Sequence, residues 1–476
     1  MDTKKLRQKV LDLAIRGKLV PQDPNDEPAS VLLERIKEEK DHLIKEGKIK
    51  RDKKEKTSDT SHYEKVPFEV PESWGWCRLE DLCDYGTCKS ISPKEIPDNA
   101  WILDLEDIEK DTAKLLQRTR KIDRNTTSTR HSFSKGNVLY SKLRTYLNKV
   151  LVADTDGFST TEILPLDFKS FVAPEYARYV LMSKMFLDYT AQCGYGVKMP
   201  RLGTNDGKKA PFPLPPLSEQ KRIISKIEES FTLIDQIEES KLSLSQFIKQ
   251  TKSKVLDLAI RGKLVPQDIN DEPIKIEILK TKSSDISHYP FDVPNGWTWV
   301  KIKDIVTYIQ RGKSPKYSPI KKYPVLAQKC NQWSGITLEN VLFFEPETFE
   351  KYTKERFLQT GDIIINSTGT GTLGRIGLFD TNILREYECI VADSHITVVR
   401  CNQQLIIPEY VYRFLCSEYQ QKIIEDNAAG STNQKELYID TIKEFYIPCP
   451  PLIEQKRIIQ KIETLFQTLD SIQNNL

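Results

Sequence analysis

From Ile223 to Leu258 apolar residues recur at alternating steps of four and three. The series runs Ile223, Ile227, Ser230, Ile234, Ile237, Lys241, Leu244, Ile248, Thr251, Val255 and Leu258, and eight of its eleven positions are apolar. A 3.5-residue period draws one narrow apolar stripe along a helix, so the spacing predicts a single helix of about 40 residues, on the order of 60 Å at 1.5 Å per residue. A second series in the same register runs through both ends of the chain, with Ile458, Ile462, Leu465, Leu469, Ile472 and Leu476 at one and Leu6, Val10 and Leu13 at the other. So narrow a stripe needs a partner helix to cover it. If the N-terminal helix continues the line of the C-terminal one, this composite line and the central helix form an antiparallel coiled coil. The alternative is a set of unrelated amphipathic helices on separate cores.

The helical segments belong to a duplication, which decides architecture before anything else. Residues 10–23, VLDLAIRGKLVPQD, recur letter for letter at 255–268, and each copy is followed by Asn-Asp-Glu-Pro, at Asn25 and Asn270. A second block, PPLSEQKRIISKIEES from Pro215, matches PPLIEQKRIIQKIETL from Pro450. The two blocks are joined in mid-chain and separated at the ends, so the termini cut one repeat in two, as in a circular permutation. Between the blocks lie residues 61–214 and 287–447, each opening with Ser-His-Tyr at Ser61 or Ser287, then a Val-Pro and a Trp-x-Trp (Trp74 and Trp76; Trp297 and Trp299), and diverging afterwards. Short β-branched runs such as GDIIINST and HITVVR alternate there with turn residues, while VYRFLCSEYQQKII has helical spacing.

These patterns predict an α+β fold with two mixed α/β domains, suited to presenting two different recognition surfaces, separated by an antiparallel coiled coil of long helices, an internal pseudo-two-fold repeat with circularly permuted termini. The expected divisions are 1–30 for one half of the split helical repeat, 31–60 for a charged helical insertion, 61–214 for the first recognition domain, 215–275 for the central helical region, 276–447 for the second recognition domain and 448–476 for the other half of the split repeat. The Lys- and Glu-rich stretch 31–57 occurs in the first half only and suits a solvated helix or hairpin.

With 476 residues the chain has room for several cores, and 38% hydrophobic against 29% charged residues suits a globular, cytoplasmic protein rather than a membrane or disordered one. No stretch approaches the roughly 18 apolar residues of a spanning helix. The nine cysteines include no Cys-x-x-Cys pair and the five histidines are dispersed, so no metal site is expected and free thiols are. A net charge of +3, from 71 basic and 68 acidic residues, permits a nucleic-acid partner without requiring one.

The loops of the two bracketed regions supply the groups that hold phosphates and base edges. In the second region these are Arg311, Lys313, Ser314, Lys316 and Tyr317, then Gln328, Lys329, Asn331, Gln332 and Trp333, then Ser431, Thr432, Asn433, Gln434 and Lys435. In the first they are Arg118, Arg120, Lys121, Arg124, Arg130 and His131, then Lys142, Arg144, Asn148 and Lys149, then Tyr195, Lys198 and Arg201. Lys and Arg bind phosphate, while Arg with guanine and Asn or Gln with adenine give two-pronged base contacts. A solvated loop is the plainer reading of any one cluster, and it is their recurrence in paired domains that points to DNA.

The paired regions, each followed by Pro-Pro-Leu-x-Glu-Gln-Lys-Arg-Ile-Ile and a long helix, resemble the specificity subunits of Type I restriction-modification systems over essentially the whole chain. RGKSPKYS from Arg311, GDIIINSTGTGTLGRIGLF from Gly361, ADSHITVVR from Ala392 and STNQKELYIDTIKEFYIPCPPL from Ser431 look like the second recognition domain of that family, and Thr370, Thr372 and Arg375 join the candidate contacts. The first domain matches through GNVLYSKLRTYLNKVLVAD from Gly136 and through GYGVKMPRLG from Gly194, where the family more often has Gly-Ser-Thr. The resemblance implies a non-catalytic chain whose recognition domains each read half of a split, asymmetric double-stranded DNA site. Its helices would set the spacer and hold two adenine-methylating modification subunits, and two restriction subunits would complete the nuclease. S-adenosylmethionine, ATP and Mg belong to those partners, and none is expected on this chain. A related specificity subunit, of enzymes that cut on both sides of their site, is the alternative within the class.

Other classes fit less well. Gly369-Thr-Gly371-Thr-Leu-Gly374 spells a dinucleotide fingerprint with Asp393 downstream, but a fingerprint needs a helix at its third glycine, and RIGLFD predicts a glycine-rich hairpin instead. An adenine methyltransferase needs Asn- or Asp-Pro-Pro-aromatic, whereas both Pro-Pro pairs here are followed by Leu, and no Walker pattern is present. A coiled-coil scaffold leaves the duplicated, loop-rich domains without a purpose.

Overall fold

The protein, seen as a computed structural model, is described at residues 2–46, 66–196, 198–273, 289–369, 371–430 and 435–476. The Ser-His-Tyr segment at Ser61, the start of its counterpart at Ser287 and the charged stretch beyond residue 46 lie outside the described residues. Two compact units form, Met1–Ser240 and Lys241–Leu476.

In the first unit α1 (Thr3–Ile15) is capped by the Asp2 carboxylate, which accepts from the Lys5 N–H, and α2 (Ala29–Lys45) covers the described start of the charged insertion. There follow β1 (Gly75–Arg78), α3 (Leu79–Leu82), β2 (Ser90–Ile91), β3 (Trp101–Leu103), β4 (Thr119–Arg120), β5 (Arg130–Phe133), β6 (Val138–Ser141), β7 (Val150–Val152), β8 (Gly157–Thr160) and β9 (Ile163–Leu166). After them come α4 (Pro174–Met182), α5 (Lys184–Cys193), α6 (Thr204–Lys208), β10 (Pro211–Leu214) and α7 (Leu217–Ile260), whose first half belongs to this unit. The strands make a five-stranded sheet in the order β2-β5-β8-β3-β4, a three-stranded sheet β7-β6-β9 and the antiparallel pair β1-β10. One continuous core runs from Leu11 through both larger sheets and α4 to Ile227.

The second unit takes the rest of α7, then β11 (Thr298–Lys301), β12 (Val306–Arg311), β13 (Tyr323–Leu326), β14 (Asn331–Gln332), β15 (Gly335–Ile336), β16 (Leu342–Phe344), β17 (Ile363–Asn366), β18 (Ile376–Leu378), β19 (Val391–Ala392) and β20 (Ile396–Cys401). It ends with α8 (Pro408–Leu415), α9 (Glu418–Asp426), α10 (Ile439–Lys443), β21 (Tyr446–Cys449) and α11 (Leu452–Asn474). Its sheets are β12-β20-β17-β18, β16-β13-β19 and the pairs β14-β15 and β11-β21, packed around three clusters of apolar side chains.

Each unit closes on an antiparallel helix pair. In the first, Arg7 of α1 pairs with Asp235 and Glu238 of α7, and beyond the helix Gln22 Nε2 donates to Glu219 over 2.6 Å. In the second, Gln473 of α11 donates to Ser245 over 3.1 Å, Lys252 pairs with Asp470, and Gln267 donates to Glu454 over 2.7 Å. Both units therefore begin with the VLDLAIRGKL block and end with the Pro-Pro-Leu block. The permuted repeat expected from the sequence is this tandem repeat viewed from the middle of α7, a helix of 44 residues.

Burial along the stripe is uneven. Ile223, Ile227, Ile234, Ile248, Val255, Ile458 and Ile462 are buried, Ile237, Leu258, Leu465, Leu469 and Leu476 half-buried, and Leu244 and Ile472 exposed. In α1 the stripe residues Leu6, Val10 and Leu13 are half-buried, while Leu11, Ala14 and Ile15 enter the core. The cause is that α1 packs on α4 and α5, and α11 on α8, as well as on α7, so the buried face is broader than a two-helix seam.

The most closely repeated residues tie these helices to the domains. Trp74 Nε1 donates to Glu219 over 2.9 Å, and Trp297 Nε1 to Glu454 over 2.8 Å. Arg222 grips Asp26 at 2.5 Å, as Arg457 grips Asp271. Buried Gln220 accepts from the Ala173 N–H and donates to the Pro215 carbonyl, and Gln455 does the same with Ile407 and Pro450. Tyr176 and Tyr410 donate to the Pro213 and Pro448 carbonyls, each over 2.9 Å. Burial pushes the Glu219 and Glu454 carboxyls up, against the hydrogen bonds from tryptophan and glutamine that favour the anion. The turn that ends the helix inside each block needs glycine, since Gly17 and Gly262 have φ of +64° and +66° and a Cβ there would lie 2.4 or 2.3 Å from Pro71 or Pro294. The Trp-x-Trp, Gln-Asp and Glu-Gln-Lys-Arg motifs are thus one lock, built twice.

Candidate nucleic-acid interface

In the second unit five loops meet where β17 ends. The segment after β17 turns back at once into β18, antiparallel to β17 with Ile365 opposite Ile376, so the glycine-rich run is a hairpin loop and not the opening of a helix. The chain after α9 returns to this loop, where Glu436 bridges to both Thr368 and Ala429, Gly369 N–H donates to the Lys435 carbonyl over 3.2 Å, and Leu437 N–H to that of Ser367 over 2.8 Å. From 328–333, Gln328 Oε1 accepts from Thr372 Oγ1 at 2.8 Å, and Gln332 Oε1 accepts from Arg375 Nη1, whose Nη2 donates to the Gly371 carbonyl at 2.9 Å. From 311–317, Arg311 Nη1 donates to Glu436, and Ser314 bonds Ser394 at 2.8 Å. Gly312 is needed there for close approach, because a Cβ would fall 2.1 Å from the Asp393 carbonyl oxygen. His395 completes the cluster, with Nδ1 at 2.7 Å from Thr368 Oγ1, and burial raises the Asp393 carboxyl beneath it against the bond from the His395 N–H.

Most described candidates of this unit therefore converge: Arg311, Lys313, Ser314, Gln328, Gln332, Thr372, Arg375 and Lys435 sit on mutually bonded loops. Lys316, Tyr317, Lys329 and Trp333 are exposed on the same segments. Asn331 is different, since it is fully buried and donates to Asn366 Oδ1 at 3.0 Å, bracing the hairpin from below. Thr370, Ser431, Thr432, Asn433 and Gln434 lie outside the described residues.

The first unit builds the same junction from other residues. The loop between β6 and β7 meets the chain that follows α5, with bridges Leu143–Arg201 and Tyr195–Arg201. The Arg144 N–H donates to the Pro200 carbonyl over 2.7 Å and the Leu202 N–H to that of Lys142 over 3.0 Å, the counterparts of the Gly369 and Leu437 bonds. Lys142, Arg144, Tyr195, Lys198 and Arg201 are thereby gathered at one place, with Arg201 held by Glu162 at 3.0 Å.

The remaining first-unit candidates are engaged elsewhere. Arg124 binds Asp107 at 2.6 Å and Asp104 at 2.9 Å, and buried Arg130 pairs with Asp104, so both stabilise the five-stranded sheet. Asn148 is buried and donates to the Met182 carbonyl, Lys149 donates to that of Leu105 and buried His131 has Nδ1 near that of Ile163. Arg118 stacks over Trp101 and pairs with Asp154 at 2.6 Å, Arg120 pairs with Asp123 at 2.9 Å, and Lys121 reaches Asp98 at 3.1 Å. The spacing of basic residues had no means of showing these carboxylates, most of which come from other turns, Asp123 beside Arg120 excepted. Glu162, Glu436, Ser394 and His395 went unnoticed for the same reason, a lone Glu or His in a loop reading as solvated.

Residues 294–476 match the family model for the Type I restriction modification DNA specificity domain. Over 99% of its length the chain is 26% identical to the Type I restriction enzyme EcoEI specificity subunit of Escherichia coli, covering 90% of that protein. It is equally similar to the EcoAI specificity subunit of the same organism, over 98% of this chain and 90% of that one. Among solved structures, a chain from a study of complex assembly and conformational transition in the type I R-M system superposes with a TM-score of 0.63 at 19% identity, covering 86% of this chain and 94% of that one. The HsdS subunit from Thermoanaerobacter tengcongensis gives 0.53 at 18% identity, over 86% and 93%.

Proposed function

We propose that the chain is a specificity subunit of the Type I restriction-modification class, and that each unit reads one half of a split, asymmetric DNA site through its loop junction. As a specificity subunit it carries no catalysis of its own. The observation that supports the reading is the junction itself: two units with the same lock join equivalent loops by equivalent backbone bonds, yet line them with different side chains. A repeated frame with unlike linings suits two different recognition events.

In this reading residues 61–214 and 276–447 are the recognition domains, and the helical blocks 1–30, 215–275 and 448–476 hold two modification subunits that methylate adenine with S-adenosylmethionine. Two restriction subunits bring ATP and Mg, and the assembly works in the cytoplasm. Arg124, Arg130, Asn148 and Asn331 drop out of the contact set because the fold already uses them. The test is to replace residues 276–447 with the corresponding region of a relative, express the hybrid with its modification partner, and sequence the methylome. One half of the site should change while the other stays. A change in both halves, or in neither, overturns the reading.

A further inference from the structure

Two kinds stand out among the cations of the two junctions. Lys313 and Lys316 in the second unit, and Arg144 and Lys198 in the first, are exposed and make no ion pair among the described residues. Arg201 and Arg311 are instead each locked to a glutamate while remaining partly open to solvent. Arg201 donates from Nε and Nη2 to Glu162, at 3.1 and 3.0 Å, and Arg311 donates from Nη1 to Glu436. Each keeps one terminal nitrogen, Nη1 of Arg201 and Nη2 of Arg311, without a partner among the described residues. Both pairs stand at the same join, yet the duplication did not copy them. The position on the returning loop is Arg201 in one unit and Glu436 in the other, bridged to Leu143 and to Thr368, and the missing partner comes from before β9 in the first case and from the end of β12 in the second. The same device has been built twice from different positions.

We propose that Arg201 and Arg311 each read a guanine edge, one in each half-site, while the unpaired cations grip phosphate. The proposal rests on the DNA-reading function above. A phosphate carries full negative charge and is repelled by a carboxylate already bound to the arginine. Guanine O6 and N7 carry only partial charge, and they require donors in a set direction. A glutamate supplies that direction, since it holds the guanidinium of Arg201 by two nitrogens and that of Arg311 by one, balances the charge and reduces the ordering cost of binding. The arrangement selects a base edge over the backbone, the reverse of what a free lysine does.

The test uses the whole specificity subunit assembled with its modification partner, and reads the methylome together with the salt dependence of DNA binding. Arg311→Lys keeps the charge and an ion pair with Glu436 but loses the fork. Discrimination at one G·C position of one half-site should fall roughly 5- to 150-fold, with the salt slope unchanged. Arg201→Lys should do the same in the other half-site. Lys313→Ala should weaken binding to all sequences alike and lower the slope by about 1. Glu436→Gln keeps an acceptor but uncovers the arginine's charge, so non-specific binding should rise and grow steeper with salt. Half-sites unchanged by either lysine variant overturn the proposal, as does an Arg311→Ala variant that lowers the slope by about 1 at unchanged specificity. If instead the unaltered assembly methylates no split site at all, it is the DNA-reader assignment that fails.

Discussion

Trp74, Gln22, Gln220 and Tyr176 in the first unit make the same hydrogen bonds as Trp297, Gln267, Gln455 and Tyr410 in the second, whereas the sheets between these residues differ in strand number and order. The comparison separates two kinds of repetition. Side chains are repeated where helices meet domains, since a buried polar group stripped of its partner costs far more than a small change in apolar packing. At the loop junctions only backbone bonds are repeated, and they leave the side chains free to differ. Motif strength in this sequence therefore marks the mount, while the loops proposed to read DNA are only weakly repeated.

The largest effect should come from the mount. Glu219→Ala and Glu454→Ala each orphan a buried indole N–H and remove the bond from Gln22 or Gln267, and each should destabilise its own unit by about 2–3 kcal/mol. Hydrogen exchange in the full chain can assign the loss to a unit. Equal losses support the equivalence, and a unit that tolerates the change breaks it.

That lock was half legible in the sequence. The identical 14-residue blocks, the Pro-Pro-Leu blocks and the tryptophans announced a repeated frame, and the 3.5-residue series located α7 closely. Which residues bond which was hidden, because Trp74 meets Glu219 from 145 positions away. The glycine-rich hairpin was legible from RIGLFD, whose β-branched and glycine residues suit a strand. The fate of Arg124 was not, because Asp104 and Asp107 reach it only through the tertiary fold.

That ion cluster, centred on Asp107 of the first unit, should show itself in acid. Burial pushes the Asp107 carboxyl up, but bonds from Arg124, the Asp104 N–H and Gln117 outweigh it and hold the group below its usual range. A carboxylate lowered by folding adds stability above its unfolded pKa of about 3.9, and that stability is lost as pH falls through the lower folded value. The first unit should therefore weaken below about pH 4 in a way that Asp107→Asn removes, at a cost near neutrality of about 1.5–3 kcal/mol. An acid profile unchanged by the substitution would show that the cluster does not stabilise the folded state.

Gly262→Ala should cost about 1–3 kcal/mol, through a strained positive φ and a clash with Pro294, and Gly17→Ala should match it. Thermal unfolding of the two variants checks this, and a mismatch would mean that one turn relaxes where the other does not.

The smallest effect sharpens the comparison within α7, where Leu244 and Ile248 occupy consecutive positions of one heptad series. Leu244 is 38% exposed and Ile248 only 5%, although the sequence pattern gives them equal standing. The difference lies in how far neighbouring side chains cover each position, which a periodic stripe does not record. Truncating an exposed leucine removes little buried surface, so Leu244→Ala should cost under about 0.5 kcal/mol in the isolated chain, while Ile248→Ala should cost about 2–4 kcal/mol through lost burial and a cavity. Denaturant midpoints of the two variants decide it. Equal losses would mean that Leu244 is covered in solution and that the seam is as continuous as its periodicity suggests.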